Sequence, residues 1–345
     1  MMKVRVNKTR CIGESRPCFV IAEIGSNHNR SLSMAKELID AAAQAGADAV
    51  KFQLFEGEKH YSRKTPKFKL YDKNIVDLLD EISLPREWAP ELKEYSEKKD
   101  IIFFSSVTHA QDVDLLEDLG VGLYKLASFE LVDLDLIEYT AKTQKPLILS
   151  TGMADLKEVE DAYKACLGAG NKKVILLQCA SAYPAPYESM NLKAINTLKD
   201  RFKTITGLSD HTMGVHVTLG AVALGAKVIE RHFTLSRKLK GPDHPFAIEP
   251  DELGQMMLQI RQLESALGSG KKKGPSHGEL EFYDKARRSL HAAIDIPQGT
   301  AITGEMITIK RPGFGIKPKL KKKLVGKVAL RDIVRDEWIT WDIVK

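Results

Sequence analysis

Eight short apolar runs, each followed by a stretch with a helical pattern, recur through the first 235 residues. The runs are continuously apolar rather than alternating, as is typical of parallel strands covered on both faces. The predicted strands are Phe19–Ile24, Ala49–Phe52, Ile101–Phe104, Leu123–Leu126, Pro146–Leu149, Lys173–Leu177, Thr204–Gly207 and Lys227–Glu230. Eight strand–helix units in series predict an α/β fold, a (β/α)8 TIM barrel. A doubly wound open sheet stays possible, because one sequence does not give the order of the strands.

The chain changes character after the last repeat. A helix predicted over Pro250–Leu267 would close the barrel, and the following Gly268–Ser276 has the composition of a linker. We therefore assign residues 1–268 to a TIM-barrel domain, 269–284 to a linker and 285–345 to a small, mainly-β domain. A domain of this size has too little core to be very stable alone, so we expect it to pack on a partner subunit or on the barrel.

Charge is distributed unevenly along the 345 residues. From Lys285 onwards there are 14 Lys and Arg against 6 Asp and Glu, a net charge of +8, which leaves the rest near −2 out of the total of +6. The aromatic residues of this tail are not interleaved with the basic ones, so a solvated face is favoured over nucleic-acid binding. The sequence shows neither a membrane-spanning run nor a secretory signal, and its four cysteines lack CxxC spacing, so we expect a cytoplasmic protein.

Polar residues concentrate where the predicted strands end, which is where barrel enzymes carry their catalytic groups. Lys51 and Lys125 each lie inside an apolar strand, where a cation costs several kcal/mol unless an anion meets it. With serine hydroxyls nearby, we expect a phosphate or carboxylate as the ligand. The candidates at the strand ends are Glu23, Lys51, Gln53, Ser106, Lys125, Ser128, Glu130, Ser150, Ser181, Tyr183 and Ser209.

Two histidines, His211 and His232, each close an apolar run, and a short helical stretch separates the runs. In a parallel sheet this connection makes the two strands neighbours, with both imidazoles at the same edge. The pair predicts a metal site with open positions, suited to Mn²⁺, Fe²⁺, Co²⁺ or Zn²⁺. Asp243, in the loop after the second histidine, could orient a substrate there; a turn fixed by proline is an equally good interpretation of that loop.

The most distinctive motifs are Ala22–Asn29, Gly46–Gln53, Ser209–Thr212, Ile229–Thr234 and Gly241–His244, with Arg287–Leu290 and Lys310–Gly313 in the tail. Together the first five resemble the sialic acid (N-acetylneuraminate) synthase family, and the tail resembles that family's antifreeze-like (SAF) domain. The resemblance extends over nearly the whole chain.

The resemblance implies a transferase that condenses phosphoenolpyruvate with an N-acetylated amino sugar, N-acetylmannosamine being favoured. The products would be N-acetylneuraminate and phosphate, formed by metal-assisted, aldol-type C–C bond formation with C–O cleavage. It further implies a divalent metal on His211 and His232, with Mn²⁺ favoured over Mg²⁺ or Co²⁺. It also implies a homodimer in which the C-terminal domain contacts the partner barrel and Arg311 reaches the N-acyl end of the substrate.

The same resemblance implies roles for the strand-end residues. Glu23, Glu130, His211 and His232 would be catalytic. The phosphoenolpyruvate anions would be held by Lys51, Ser106, Lys125, Ser128, Ser150 and Ser209. The sugar or the attacking water would face Glu23, Gln53, Glu130, Ser181, Tyr183 and Asp243.

Two departures leave the sugar open. Ser181 stands where some sialic acid synthases have Asn, and Lys125–Glu130 resembles the version found in pseudaminate synthases. A legionaminate or pseudaminate synthase, using a 2,4-diacetamido-trideoxyhexose, is therefore the alternative, although the Gly241–His244 loop favours N-acetylmannosamine. A barrel enzyme that uses a phosphorylated sugar is disfavoured, because a further basic cluster is missing. A carbohydrate- or ice-binding protein with an inert barrel is disfavoured by the strongly basic tail.

Overall fold

The computed structural model describes residues 2–68 and 73–345. These residues form two compact units, which divide after Gly268. The first unit holds a closed barrel of eight parallel strands, and the second is small and mainly β. The predicted fold, a TIM barrel followed by a small β domain, is confirmed. Within the described residues, no helix is both long and apolar enough to cross a bilayer.

The barrel closes because its last strand pairs in parallel with both its first strand and its seventh. Each predicted strand is present, with ends that differ by three residues at most. The largest difference is in the seventh barrel strand, which continues through Ser209 to Asp210, two polar residues that end the apolar run although both are buried. The barrel strands are β3 (Phe19–Gly25), β4 (Ala49–Gln53), β5 (Ile102–Ser106), β6 (Tyr124–Leu126), β7 (Leu147–Ser150), β8 (Val174–Cys179), β9 (Ile205–Asp210) and β10 (Val228–His232).

Helices cover the outside of the barrel. The helix predicted over Pro250–Leu267 has these bounds, and α1 begins where Ser31 accepts a hydrogen bond from the Met34 amide. The α-helices of the first unit are α1 (Leu32–Gln44), α2 (Gly57–His60), α3 (Ile75–Ile82), α4 (Ala89–Lys98), α5 (Ala110–Asp118), α6 (Leu134–Lys142), α7 (Leu156–Gly168), α8 (Ala194–Phe202), α9 (His216–Ala223) and α10 (Pro250–Leu267).

An N-terminal hairpin closes one end of the barrel. Its strands, β1 (Lys3–Arg5) and β2 (Cys11–Gly13), were not among the predicted elements. Val4 and Ile12 of the hairpin pack with side chains inside the barrel, such as Phe19 and Val228, at the ends where those strands begin. The barrel therefore has an apolar floor, which leaves the carboxyl ends of the strands as the end available for chemistry.

The second unit has an apolar core of its own, built from aliphatic side chains such as Leu290 and Ile302. Its strands β11 (Ser289–Ala292) and β12 (Ile307–Lys310) pair antiparallel, and Lys321–Leu324 forms a short helix. The segment interpreted as a linker is not wholly irregular, because it contains a one-turn 3₁₀-helix at His277–Glu279 and the start of α11 (Leu280–Lys285).

Candidate active site

The alternation of side chains along the barrel strands decides which residues enter the barrel. In β3, Phe19 and Ile21 pack inside the barrel and Glu23 is the next inward residue; in β4, Lys51 follows Ala49 in the same way. Above the apolar layers, the inward positions become polar in several strands at once. They form the base of a cavity of about 690 Å³, a volume ordinary for a small-molecule site.

The cavity brings together every predicted site residue of the first unit. Its lining includes Glu23, Lys51, Gln53, Ser106, Lys125, Ser128, Glu130, Ser150, Ser181, Tyr183, Ser209, His211, His232 and Asp243. Arg311 is an exposed residue of the second unit, directly after β12, and its role toward a substrate stays a prediction. The individual roles given to the lining residues stay predictions as well.

Sequence reasoning missed Glu230, which is central to the cavity base. Its signal was present, because Val228, Glu230 and His232 alternate along β10 and the first of them packs inside the barrel. Cys179 of β8, which also lines the cavity, could have been found by the same count from Leu177. Thr108, by contrast, lines the cavity from the loop after β5, and His60 lines it from the end of the short helix α2, where strand alternation gives no signal.

Four buried ionic side chains form the cavity base. Lys51 Nζ lies 3.0 Å from Glu23 Oε1 and 3.7 Å from Glu230 Oε1, and Lys125 Nζ lies 3.9 Å from the same Glu230 oxygen. Gln53 donates a hydrogen bond of 2.6 Å to Glu23 Oε1. The second carboxylate oxygen of each glutamate is buried and accepts no hydrogen bond from the described residues. Both oxygens are thus left for a ligand.

Burial and neighbouring charges set the protonation of this cluster. Burial, helped by the negative charge of Glu230, raises the pKa of Glu23 to about 7. Burial also acts to raise the pKa of Glu230, but Lys125 and Lys51 outweigh it and the pKa is lowered. When Glu23 carries a proton and both lysines are charged, two cations face one carboxylate. The cluster then has one positive charge in excess, which favours an anionic ligand.

The two histidines lie together in the cavity lining, with ring centroids 5.4 Å apart. His211 Nδ1 lies 2.9 Å from the carbonyl oxygen of Ala180 and must donate to it, which leaves Nε2 with a free lone pair when the ring is neutral. Burial acts to lower the pKa of His211, but the contact with Cys179 outweighs it and the pKa is raised. Burial, followed by the charge of His211, lowers the pKa of His232 well below its ordinary value, so this imidazole is neutral. A neutral imidazole oriented by a backbone carbonyl is the usual form of a metal-binding histidine.

Outside the barrel wall, a buried ion pair supports the two histidines. Arg231 Nη1 lies 3.0 Å from Asp210 Oδ2, and the same guanidinium donates to the carbonyl oxygens of Thr212 and Gly214. Asp210 and Arg231 directly precede His211 and His232 and, by alternation, point away from the cavity. They tie the ends of β9 and β10 to each other.

Serine hydroxyls form the wall beside the lysines. Ser150 Oγ and Ser181 Oγ are buried and have no hydrogen-bond partner among the described residues. Ser128 Oγ accepts a hydrogen bond of 3.0 Å from the Gly152 amide, and a Cβ at position 152 would collide with the Ser128 and Ser181 hydroxyls. Glycine is thus required there for the hydroxyls to come together. Two buried hydroxyls without partners indicate a ligand that accepts hydrogen bonds.

Comparison with known proteins identifies the family of this chain. The NeuB family model matches residues 38–272, and the SAF domain model matches residues 287–345. The chain is 41% identical to the N,N'-diacetyllegionaminic acid synthase of Campylobacter jejuni, over 93% of this chain and 98% of that protein. It is 40% identical to the pseudaminic acid synthase of Helicobacter pylori, over 91% and 94% of the two chains.

A solved structure extends the likeness to three dimensions. The N-acetylneuraminic acid (sialic acid) synthetase of Leptospira borgpetersenii, crystallised with citrate, superimposes with a TM-score of 0.75 at 34% identity, over 81% of this chain and 94% of that one. These proteins have different sugar acids in their names, so they agree on the type of synthase and not on the sugar. The chain belongs to the NeuB family of nonulosonate synthases and carries that family's barrel together with a SAF domain.

Proposed function

We propose that this protein condenses phosphoenolpyruvate with an N-acetylated amino sugar aldehyde to form a nine-carbon 2-keto acid and phosphate. The observation that carries the proposal is the meeting, in one cavity, of a buried lysine pair with the paired histidines. Lys51 and Lys125 supply cations for a small polyanion, and His211 and His232 line the same cavity, where they could polarise an aldehyde oxygen.

The anion site suits phosphoenolpyruvate. Both lysines are at least 98% buried, so each is held in the barrel without its full water shell. The unpartnered hydroxyls of Ser150 and Ser181 face the same cavity. A phosphate and a carboxylate would satisfy both the lysines and the hydroxyls, which removes the cost of leaving buried polar groups unpaired.

The described residues fit a divalent metal held by two protein ligands. Within residues 2–68 and 73–345, no group of three His, Cys, Asp or Glu side chains is arranged to hold an ion by itself. The Ala180 carbonyl oxygen orients His211, His232 is neutral with a buried Nδ1 that has no hydrogen-bond partner among the described residues, and the remaining positions would be open to substrate oxygen. Mn²⁺ is our preferred ion, and when bound it would supply Lewis acidity to the sugar aldehyde.

The proposed reaction forms a C–C bond between C3 of phosphoenolpyruvate and the aldehyde carbon, and the aldehyde oxygen gains a proton. C2 then becomes electron-poor and takes the oxygen of a water molecule, after which the C2–O bond to phosphate breaks. We assign to Glu23, whose pKa lies near 7, the acceptance of the proton of that water and its onward transfer. Glu130, whose pKa burial raises, lies in the same cavity and could protonate the new alkoxide.

The acceptor sugar follows from the family only as a class. The Gly241–His244 loop led us to favour N-acetylmannosamine, which would make the product N-acetylneuraminate. The likeness to legionaminic and pseudaminic acid synthases, at 40–41% identity, supports the 2,4-diacetamido-2,4,6-trideoxyhexoses equally well.

We further propose a cytoplasmic homodimer in which Arg311 contacts the substrate's N-acyl group in the partner barrel. The mass of the protein in solution, measured by light scattering, tests the dimer.

The deciding experiment follows phosphate release from phosphoenolpyruvate, with and without Mn²⁺. The acceptors are N-acetylmannosamine and the 2,4-diacetamido-2,4,6-trideoxyhexoses, offered one at a time. Acceptor-dependent phosphate release that requires the metal supports the proposal, and its absence with every acceptor refutes it. In ¹⁸O-labelled water, the label should appear in the sugar acid; label in the phosphate would refute C–O cleavage.

A further inference from the structure

One wall of the cavity is apolar and is built by a helix that the barrel repeat does not require. Helix α3, in the long connection between β4 and β5, presents Ile75, Leu78, Leu79 and Ile82 to the cavity. Their spacing of three, four and seven residues puts them on one face of the helix. Asp77 lies on the outer face of the same helix and is exposed.

Helix α3 is fixed to the barrel rather than loosely placed over it. Asn74 caps its first turn by accepting a hydrogen bond of 2.9 Å from the Val76 amide. Arg30 Nη1 donates to the Asp80 carbonyl oxygen at 2.7 Å, and the Gly57 amide donates to Asp80 Oδ1 at 2.8 Å. A Cβ on Gly57 would collide with the Val76 carbonyl oxygen, so glycine allows this close approach. The apolar face of α3 is therefore a fixed part of the cavity wall.

The apolar wall is continuous with the reacting end of the cavity. His60 Nε2 lies 3.8 Å from Glu130 Oε1, and the His60 ring stacks on Phe55 with centroids 6.2 Å apart. Phe55 and His60 line the same cavity as Leu78 and Ile82. With the aldehyde beside the histidines, as the proposed function requires, the far end of the sugar is the part left to contact the face of α3 in the same cavity.

Resting on the proposed function, we infer that the face of α3 selects an acceptor sugar whose terminal carbon, C6, is a methyl group rather than a hydroxymethyl group. Leucine and isoleucine side chains offer no hydrogen bond to a hydroxyl, which would lose water there without a replacement. Burial of a methyl group against the same side chains is favourable, because it removes apolar surface from water. Selectivity of this kind in an apolar pocket amounts to roughly 10- to 200-fold in kcat/KM.

Two pairs of acceptors test this inference on the wild-type protein. The members of each pair differ only at C6: N-acetylmannosamine with its 6-deoxy analogue, and 2,4-diacetamido-2,4-dideoxymannose with its 2,4,6-trideoxy counterpart. We expect the 6-deoxy member to have at least a tenfold higher kcat/KM in each pair that reacts. Equal values, or a preference for the 6-hydroxyl, would overturn the inference while the proposed function stands. Absence of phosphate release with all four would overturn both.

A variant links the preference to α3. Leu78→Asn places an amide on the apolar face and should reduce the 6-deoxy preference severalfold, with the KM for phosphoenolpyruvate unchanged. Asp77→Asn, on the outer face of the same helix, is the control and should keep the wild-type ratio. Circular dichroism establishes that both variants fold; if Leu78→Asn does not, the wild-type acceptor ratio decides. An unchanged preference in folded Leu78→Asn would overturn the assignment to α3.

Discussion

Removing the guanidinium of Arg231 should destabilise the barrel far more than removing a surface arginine. Arg231→Met keeps much of the side chain's apolar length but deletes the partner of Asp210, which is 1% exposed. It also removes the hydrogen bonds of 2.7 and 2.6 Å that Arg231 donates to the carbonyl oxygens of Thr212 and Gly214. The variant therefore leaves one buried charge, one buried acceptor at Thr212 and one partly buried acceptor at Gly214 with fewer donors.

The size of the effect follows from what Asp210 retains. Breaking a buried ion pair by removing one partner costs about 3–5 kcal/mol. Asp210 still accepts hydrogen bonds from the Thr212 amide, the Thr212 hydroxyl and the Thr218 hydroxyl, at 2.9, 2.8 and 2.6 Å. We therefore expect the lower end, about 3 kcal/mol of unfolding free energy, or roughly 6–12 °C in the midpoint of thermal unfolding.

Far-ultraviolet circular dichroism during urea unfolding is the suitable assay, because the barrel holds most of the helices. Tryptophan fluorescence is less suitable, since Trp338 and Trp341 belong to the second unit and only Trp88 to the barrel. Arg201→Met, which deletes an exposed partner of Glu160, is the matched control and should leave the midpoint close to wild type. Adding Asp210→Asn to Arg231→Met should recover part of the loss. A loss below about 1 kcal/mol in Arg231→Met would refute the reasoning.

Three further outcomes are expected. His211→Ala or His232→Ala should abolish metal-dependent phosphate release and weaken Mn²⁺ binding in calorimetry with the circular dichroism unchanged; tight binding of Mn²⁺ by either variant would refute the metal site. Lys125→Met should raise the KM for phosphoenolpyruvate about 10- to 100-fold, whereas exposed Lys142→Met should not. Because the pKa of Glu23 is raised in the folded protein, its contribution to stability is present at pH 4.5 and declines as the pH rises through about 7. In the metal-free protein, Glu23→Gln should flatten that decline in the free energy of unfolding. A pH dependence of unfolding equal to that of the wild type would contradict this expectation.

The repeat of apolar strands and helices determined the barrel, because a strand buried on both faces must be apolar along its length and a crossover helix must follow it. The same periodicity placed His211 and His232 at one edge, and their ring centroids are 5.4 Å apart. Strand ends that break the apolar run were less well predicted, as β9 shows, because Ser209 and Asp210 are polar by type but buried by position.

Tertiary structure decided which polar residues face the cavity and which support it. Asp210 and His211 are neighbours in sequence, yet one is paired with Arg231 outside the barrel wall and the other lines the cavity. Closure of the barrel brings Glu230 Oε1 within 3.7 Å of Lys51 Nζ, and packing of α3 on the barrel turns its apolar face toward the cavity. A sequence pattern reports the period of one element, whereas a site and its preference for a sugar depend on distances between several elements. The sequence pattern therefore determined the type of fold, whereas closure of the barrel determined the pairing of charges and the shape of the cavity.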